Sequence, residues 1–226
     1  MKLAVVTIGQ SPRVDLTPEI RDVLPPGTEI VEHGALDGLD RAAIAALAPQ
    51  PGERVLTSRL RDGTSAVVRH DDTVALVGRA VARGEADGAD ATFLVCTGEF
   101  GQIAHTRPLF TAERLAHDGV RGLLSGFPTR RLGILSPLPE QVTEAYAHWE
   151  ASMGVRPTAV GAASPYTDDP VTVAAAGAMV GGACDLLVMD CIGYTAAMRD
   201  AVQEACGDTR VVTARDVAAR LLGALL

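Results

Sequence analysis

An alternation of short apolar runs with longer helical segments constrains the fold of this chain more than any other feature of its sequence. Three runs are typical of buried strands: KLAVVTIG, TEIVEHGAL and ATFLVCTG. Three segments between them have the periodicity of helices: PEIRDVL, DRAAIAALA and TVALVGRAVARGEADG. Strands that alternate with helices form βαβ units, which build parallel sheets covered by helices. The sequence therefore predicts an α/β fold.

One part of the first half departs from this alternation. The segments ERVLTSRL and SAVVRH alternate apolar and polar residues with a period of two, and the turn signal RDG separates them. Two such runs joined by a glycine-containing turn are typical of a β-hairpin. We therefore predict an antiparallel hairpin within the α/β pattern.

The α/β pattern begins again in the second half of the chain. The segment RRLGILSPLPEQ has the same form as MKLAVVTIGQSP, with a basic residue, an apolar run, a small hydroxyl residue and a turn. It is followed in order by the helix EQVTEAYAHWEASMG, the strand TAVGAAS, the helix VTVAAAGAMVGGA, the strand DLLVMDCIG, the helix AMRDAVQEAC, the strand TRVVTA and the helix DVAARLLGALL. The repeated pattern predicts two similar lobes with mainly parallel sheets.

The predicted boundaries follow from this repeat. We assign residues 1–115 plus 208–226 to the first lobe and residues 116–207 to the second, because the strand TRVVTA has no evident place in the second lobe. The closing helix is accordingly expected to pack on the first lobe. Aligning Leu3 with Leu132 and Cys96 with Cys191 shows that the first half is longer by about 34 residues. The predicted hairpin region, residues 53–72, can hold much of that excess.

Each half carries a cysteine where a strand ends, followed two residues later by a glycine. The two stretches are FLVCTGEF, with Cys96, and LLVMDCIGYT, with Cys191. Ligands of parallel sheets bind beyond the carboxyl ends of the strands, and glycine lets a ligand approach the backbone there. If the two lobes face each other, the two thiols also face each other. We therefore single out Cys96 and Cys191 as candidate catalytic residues.

Two opposed thiols can move a proton between the two faces of one carbon. One thiolate removes the proton α to a carboxylate while the other thiol delivers a proton to the opposite face. This chemistry needs neither a metal nor another cofactor, provided that nearby donors tune the thiol and hold the planar intermediate. The residues that follow each cysteine are candidate donors to the substrate: Thr97, Gly98, Gly193, Tyr194 and Thr195.

A second candidate cluster lies at the carboxyl end of the first strand. The run TIGQSPR contributes Thr7, Gln10, Ser11 and Arg13, and arginine suits bidentate binding of a carboxylate. The alternative for Arg13 is a surface ion pair with Asp15 or Glu19. Ser136 takes the corresponding place in the second half, where the alternative is a turn imposed by the prolines that follow it.

Several polar or reactive residues also have purely structural interpretations. Tyr194 and Thr195 can simply begin the next helix, and a cysteine at a strand end is often packed in a core. Cys184 and Cys206 are assigned to packing. Glu99 and His105 lie just after Cys96 and could tune its thiol, but a histidine in an irregular loop is more often solvated. Asp190 immediately precedes Cys191, and neighbours on a strand point to opposite faces. We therefore expect Asp190 to point away from the thiol.

Composition narrows the class of partner. The chain has 20 basic and 28 acidic residues, a formal charge of −8 and 4% aromatic residues, which argues against a nucleic-acid partner. No apolar run reaches the length of a membrane span, so we expect a cytoplasmic protein without a membrane partner.

The four cysteines lack the close spacing of a zinc site and are expected to be free thiols. The expected partner is a small carboxylate-bearing molecule, and association into a homodimer is left open.

Three motifs together resemble a known family. TIGQSPRVD, GERVLTSRLRDG and VMDCIGY are similar to the AroM family, and the resemblance extends over essentially the whole chain. AroM-like proteins are similar in fold to the aspartate/glutamate racemase superfamily, which includes hydantoin racemase, maleate isomerase and arylmalonate decarboxylase. The resemblance implies a two-lobed α/β structure with its site in the interlobe cleft and cofactor-independent chemistry next to a carboxylate. It also assigns the catalytic role to Cys96 and Cys191. The racemases usually carry Asn-Thr after the first cysteine, where this chain has Thr97-Gly98.

Three functions are compatible with these features. The first is a two-thiol racemase or epimerase that acts on an amino-acid-like or hydantoin-like substrate. The second is a one-thiol decarboxylase or cis-trans isomerase of small dicarboxylates. In that enzyme Cys191 acts alone, and the hydroxyl groups of Thr7, Ser11, Thr97 and Ser136 bind the second carboxylate. The third is a non-catalytic binding or regulatory protein that has kept the fold of an enzyme.

Overall fold

A computed structural model describes residues 1–226 and divides them into two compact units, residues 1–113 with 222–226 and residues 114–221. In chain order the elements are β1 (Lys2–Thr7), α1 (Thr17–Arg21), β2 (Glu29–Gly34), α2 (Arg41–Ala45), β3 (Val55–Arg59), β4 (Ser65–Arg69), α3 (His70–Ala86), β5 (Ala91–Leu94), β6 (Leu109–Thr111), α4 (Ala112–Leu124), β7 (Leu132–Ser136), a 3₁₀ turn (Pro139–Gln141), α5 (Val142–Met153), β8 (Ala159–Ala162), α6 (Pro170–Gly181), β9 (Leu186–Met189), α7 (Ala196–Cys206), β10 (Arg210–Thr213) and α8 (Ala214–Gly223). The predicted α/β class is confirmed. None of these helices combines the length and apolar composition needed to cross a bilayer.

The first unit contains a four-stranded parallel sheet with the order β2-β1-β5-β6. The central strands β1 and β5 are buried almost throughout, whereas the edge strand β2 is only half-buried. Near-continuous apolar sequence is what a parallel strand needs when both of its faces are covered. The apolar runs of β1 and β5 therefore lie at the centre of the sheet.

The predicted hairpin is confirmed. β3 and β4 pair antiparallel, from Val55 opposite Arg69 to Arg59 opposite Ser65. Together with α2, the hairpin occupies the chain between β2 and α3. The corresponding part of the second unit, between β8 and β9, holds only α6, so this insertion accounts for the extra length of the first half.

The second unit contains a parallel sheet with the order β10-β9-β7-β8. If β7, β8, β9 and β10 are matched to β1, β2, β5 and β6, the two sheets have the same strand order. The predicted repetition of one α/β pattern is thus present at the level of topology. Two similar lobes with parallel sheets are therefore confirmed.

The predicted lobe boundaries need one correction. Strand β10 pairs in parallel with β9, from Arg210 opposite Leu186 to Thr213 opposite Met189, and so belongs to the second sheet. Val211 is buried in the apolar core of that unit. The assignment of residues 208–226 to the first lobe is therefore wrong for most of that segment. Only residues 222–226 group with the first unit, where Gly223 packs against the carbonyl of Val23.

Candidate active-site cysteines

Cys96 lies just beyond the carboxyl end of a central strand of the first sheet. Leu94 is the last residue of β5 and pairs with Val6 of β1. The amide of Val95 continues the ladder by donating to the carbonyl of Val6 at 2.8 Å. Cys96 follows directly and is a buried free thiol. The predicted position of this cysteine at a strand end is therefore found.

Cys191 occupies the equivalent position in the second sheet. Met189 ends β9 and pairs with Leu135 of β7, and the amide of Asp190 then donates to the carbonyl of Leu135 at 2.8 Å. Cys191 comes next and is also a buried free thiol. Each cysteine thus stands two residues beyond the last paired residue of its strand.

The glycine that follows each cysteine donates to the thiol. The amide nitrogen of Gly98 lies 3.4 Å from Sγ of Cys96, and the amide nitrogen of Gly193 lies 3.4 Å from Sγ of Cys191. A hydrogen bond to the charged form of a group favours that form. The Cys-x-Gly turn therefore favours the thiolate in both units, which is a role for the glycines beyond the ligand approach inferred from sequence.

Neither glycine has room for a side chain. A Cβ atom on Gly98 would lie 2.7 Å from Cδ2 of Leu56, which belongs to the hairpin. A Cβ atom on Gly193 would lie 2.5 Å from the ring and hydroxyl of Tyr166. Both turns are therefore enclosed by side chains of their own unit.

Tyr166 is a neighbour of Cys191 that the sequence analysis missed. Its hydroxyl oxygen lies 3.9 Å from Sγ of Cys191. Ser164 Oγ accepts from the amide of Tyr166 at 3.2 Å, and Asp168 accepts from the amide of Ser164 at 2.7 Å, so a hydrogen-bonded turn holds the tyrosine in place. The turn sequence SPYTDD, directly after β8, was the available signal, because β8 pairs with β7 beside the cysteine strand.

Alanine at Gly193 is expected to push the ring of Tyr166 away from Cys191. The added Cβ overlaps Tyr166, and relief of such overpacking typically costs about 1–3 kcal/mol of stability. We expect the alkylation rate of Cys191, followed residue by residue with mass spectrometry, to change several-fold. Gly182→Ala is the matched control, since a Cβ there would meet only ordinary van der Waals contacts. Equal rates at Cys191 in wild type and Gly193→Ala would show that Tyr166 does not govern this thiol.

Arg13 is buried within the first unit. It is 1% exposed, and its Nε and Nη2 atoms each donate to the carboxylate of Asp15 at 2.8 Å. Its Nη1 atom donates to Oγ1 of Thr7 at 2.9 Å and lies 3.3 Å from Oγ of Ser58. Burial alone would raise the pKa of Asp15, but the hydrogen bonds and charge of Arg13 outweigh it and lower that pKa. The ion pair with Asp15, which was the alternative to substrate binding, is present, but it is buried and not at the surface. Substrate binding by Arg13 stays a prediction.

The other residues of the TIGQSPR run are also tied to their own unit. Ser11 donates from Oγ to Asp37 at 2.6 Å and from its amide to the same carboxylate at 2.9 Å. The side-chain oxygen of Gln10 accepts from the amide of Arg61 in the hairpin turn at 3.0 Å. A Cβ atom on Gly9 would lie 2.3 Å from the carbonyl oxygen of Arg59. The run is thus packed closely against the hairpin, and substrate contacts by Gln10 and Ser11 stay predictions.

Tyr194 and Thr195 have structural partners in the second unit. Tyr194 is fully buried, and its hydroxyl lies 3.1 Å from the carbonyl of Ser136 and 2.5 Å from that of Ala163, so it joins the ends of β7 and β8. Burial, followed by the charges of Cys191 and Asp190, raises its pKa well above the ordinary value. Thr195 caps α7 by accepting from the amide of Met198 at 3.2 Å. Their proposed contacts with substrate are not tested by these interactions.

Asp190 and the two remaining cysteines match their structural interpretations. Nε1 of Trp149 donates to Oδ2 of Asp190 at 2.7 Å, so this carboxylate is turned toward helix α5. Cys184 is buried against Gly133, and burial raises its pKa to about 11. Burial also raises the pKa of Cys206, whose Sγ lies close to Gly181. Both thiols are held protonated and serve as packing, as expected.

The loop that follows Cys96 is anchored by a histidine that the sequence analysis did not single out. His70, the first residue of α3, is buried, and its Nε2 atom lies 2.5 Å from the carbonyl oxygen of Glu99. Its ring also stacks on Phe100 with 5.6 Å between the centroids. His105, in contrast, is exposed and lies in irregular chain, as expected. His70 therefore fixes the backbone three residues beyond the thiol.

Comparison with solved structures identifies the fold. Arylmalonate decarboxylase superposes with a TM-score of 0.61 at 16% identity, covering 99% of this chain and 91% of that chain. Allantoin racemase from Klebsiella pneumoniae gives 0.61 at 16% identity, with coverage of 100% and 87%. Glutamate racemase from Aquifex pyrophilus gives 0.60 at 17% identity, with coverage of 100% and 84%. These similarities show a two-lobed α/β fold of the aspartate/glutamate racemase type.

Comparison at the level of sequence identifies the family. Among proteins with curated functions, none matches the chain. The family described as AroM protein matches residues 3–226, which is nearly the whole sequence and includes all three motifs on which the resemblance was based. The chain therefore belongs to the AroM family.

Proposed function

We propose that this protein is a cofactor-independent racemase or epimerase that acts at the carbon α to a carboxylate, with Cys96 and Cys191 as its acid and base. The observation that carries the proposal is the matching environment of the two thiols. Each stands two residues beyond the last paired residue of a central strand and accepts a glycine amide at 3.4 Å. A racemase runs in both directions, so each thiol must serve as acid in one direction and as base in the other. Matching environments suit that requirement.

The proposed reaction is a proton transfer in two steps. The thiolate of one cysteine takes the α proton, and the electron pair of the broken C–H bond moves into the carboxylate to give a planar enediolate. The second cysteine then gives its proton to the opposite face of the carbon and becomes the thiolate. The enzyme ends with its proton on the other sulfur, ready for the reverse reaction. The glycine amides help by favouring whichever thiolate is present.

Racemases among the solved structures of this fold support the choice of reaction class, since allantoin racemase and glutamate racemase share the fold over the full length of this chain. The proposed substrate is a small carboxylate-bearing molecule of amino-acid or hydantoin type. The Thr97-Gly98 pair after Cys96 differs from the Asn-Thr pair usual in racemases. Substrates with and without an α-amino group therefore belong in any test.

A second candidate function is favoured by the tyrosine beside Cys191. The hydroxyl of Tyr166, 3.9 Å from that sulfur, can donate to a thiolate or pass a proton. Such a group suits a one-thiol decarboxylase or cis-trans isomerase in which Cys191 acts alone. Arylmalonate decarboxylase, a decarboxylase by its name, has the same fold.

The two candidates are separated by turnover in D₂O. The wild-type protein is incubated with single enantiomers of amino acids, hydroxy acids and hydantoins, and with malonates and maleate. Proton NMR follows loss of the α proton, and chiral chromatography follows inversion. Inversion accompanied by deuterium at the α carbon is the result expected of the racemase, whereas release of CO₂ or formation of fumarate identifies the one-thiol enzyme. A panel without exchange or turnover contradicts both candidates and favours a binding protein.

A further inference from the structure

Two histidines meet between helices α4 and α5. The ring centroids of His117 and His148 are 4.9 Å apart. His117 is 3% exposed, and its ring also packs on Trp149 with 4.0 Å between the centroids. A histidine in a protein interior is often a structural hydrogen-bonding residue, so the ring positions alone do not make a metal site. Whether the two histidines can bind a metal ion depends on the donor atoms around them.

The donor atoms are arranged for metal coordination. Glu113 lies one turn before His117 on α4, and residues four apart on a helix share one face. A carboxylate oxygen of Glu113 and a ring nitrogen of each histidine lie within 4.8 Å of one another. Bonds from zinc to nitrogen or oxygen are about 2.0–2.2 Å long, so ligand atoms in a tetrahedral site are about 3.3 Å apart. Small side-chain rotations therefore suffice to close the three donors around one ion.

We propose that Glu113, His117 and His148 bind a divalent transition metal ion. Imidazole nitrogens suit Zn²⁺, Cu²⁺ and Ni²⁺, and a carboxylate as third ligand leaves a coordination position for water. The proton transfer proposed for the two cysteines needs no metal, so this site is independent of that function. Its position suggests a structural role where helices α4 and α5 pack, because Trp149 connects His117 to Asp190, the residue before Cys191.

Nickel is the sharpest probe of this site. Ni²⁺ favours imidazole over thiolate more than Zn²⁺ does, which separates the histidine site from the four free cysteines. Metal-free protein is titrated with Ni²⁺ in a calorimeter, and the fluorescence of its single tryptophan is recorded in parallel. We expect one Ni²⁺ per chain and quenching of Trp149, because a paramagnetic ion on His117 lies next to that ring.

The variants make the test specific. His148→Gln changes a half-buried residue and is expected to weaken Ni²⁺ binding at least tenfold and to abolish the quenching. Glu113→Gln is expected to weaken binding several-fold. The matched control is His105→Gln, which changes an exposed histidine in the loop after Cys96 and should bind as the wild type does. Circular dichroism establishes that each variant is folded. Absence of saturable binding by the wild type, or wild-type affinity and quenching in folded His148→Gln, would overturn the proposal.

Discussion

Serine in place of Cys191 is expected to abolish turnover of the proposed substrate and leave the protein folded. Serine has nearly the same size, so the buried position tolerates it sterically. An alcohol is far less acidic than a thiol, whose ordinary pKa is about 8.5, so serine cannot supply the base at neutral pH. Loss of a general acid or base typically costs about 10²–10⁴-fold in rate. The measurement is kcat/KM with the best substrate from the D₂O panel.

The two single cysteine variants distinguish a two-thiol from a one-thiol enzyme. With Cys96→Ser or Cys191→Ser, racemisation should stop, but the remaining thiol can still exchange the α proton of one enantiomer with solvent. We expect each variant to incorporate deuterium into only one enantiomer, without inverting it. The enantiomer that is labelled should differ between the two variants. Cys206→Ser is the matched control, because that thiol packs against Gly181 and donates to the carbonyl of Gly177 at 3.4 Å, with no role in the proposed chemistry. Loss of activity at Cys191 combined with near-wild-type activity of Cys96→Ser would assign the chemistry to one thiol.

Replacing Arg13 by methionine is expected to destabilise the protein by about 3 kcal/mol. Removing one partner of a buried ion pair typically costs about 3–5 kcal/mol. The low end applies because the side chain of Asp15 is 23% exposed and still has Arg59, whose Nε lies 3.5 Å from its carboxylate. Urea unfolding at pH 7 measures the loss. The stability of Arg13→Lys should fall between those of wild type and Arg13→Met, because lysine keeps the positive charge but cannot donate the two parallel hydrogen bonds of a guanidinium.

The pH dependence of that loss tests its electrostatic origin. Arg13 lowers the pKa of Asp15 in the folded state. The stabilisation is therefore fully present above the unfolded pKa, about 3.9, and is lost as the pH falls through the lower folded value. The difference between wild type and Arg13→Met should stay constant down to about pH 5 and shrink below about pH 4.

An exposed ion pair provides the control for Arg13. Arg41 is paired with Asp62 but has 84% of its side chain exposed, so Arg41→Met should leave the urea midpoint unchanged. An Arg13→Met protein as stable as wild type would mean that the pair with Asp15 contributes nothing to folding. From the sequence, this pair was only a surface alternative to substrate binding by Arg13. Because the pair is buried, its loss is expected to affect stability more than the loss of a surface pair.

Local sequence signals predicted most of the fold. Apolar runs, helical periodicity and the RDG turn identified the elements from β1 to β5 and the hairpin, because each signal is contained within one element. Strand β6 and helix α4 were missed, since β6 has only three residues and α4 follows it without a breaking residue. Strand β10 was recognised but assigned to the wrong lobe. Helix α7 separates β10 from its partner β9 along the chain, and pairing between such distant strands produces no local sequence signal.

In the candidate site, too, the local features were predicted and the contacts between distant parts of the chain were missed. The Cys-x-Gly repeats predicted where both thiols lie, because a strand end and its turn are local features. Tyr166 and His70 were missed because they come from elements 25 and 26 residues away along the chain and meet the cysteine turns only through the sheet. The burial of Arg13 was also hidden, since Ser58 comes from the hairpin and is distant in sequence.

The hairpin is an addition to an otherwise repeated architecture, and it contacts both groups of candidate residues in the first unit. It forms no strand of the parallel sheet, yet Leu56 lies over the turn of Cys96 and Ser58 contacts Arg13. Substitutions in it can change the surroundings of the first thiol without disturbing the pairing of β1 with β5. Leu56 and Val68 of the hairpin also belong to the apolar core of this unit, so its sequence couples the surroundings of Cys96 to the stability of the first unit.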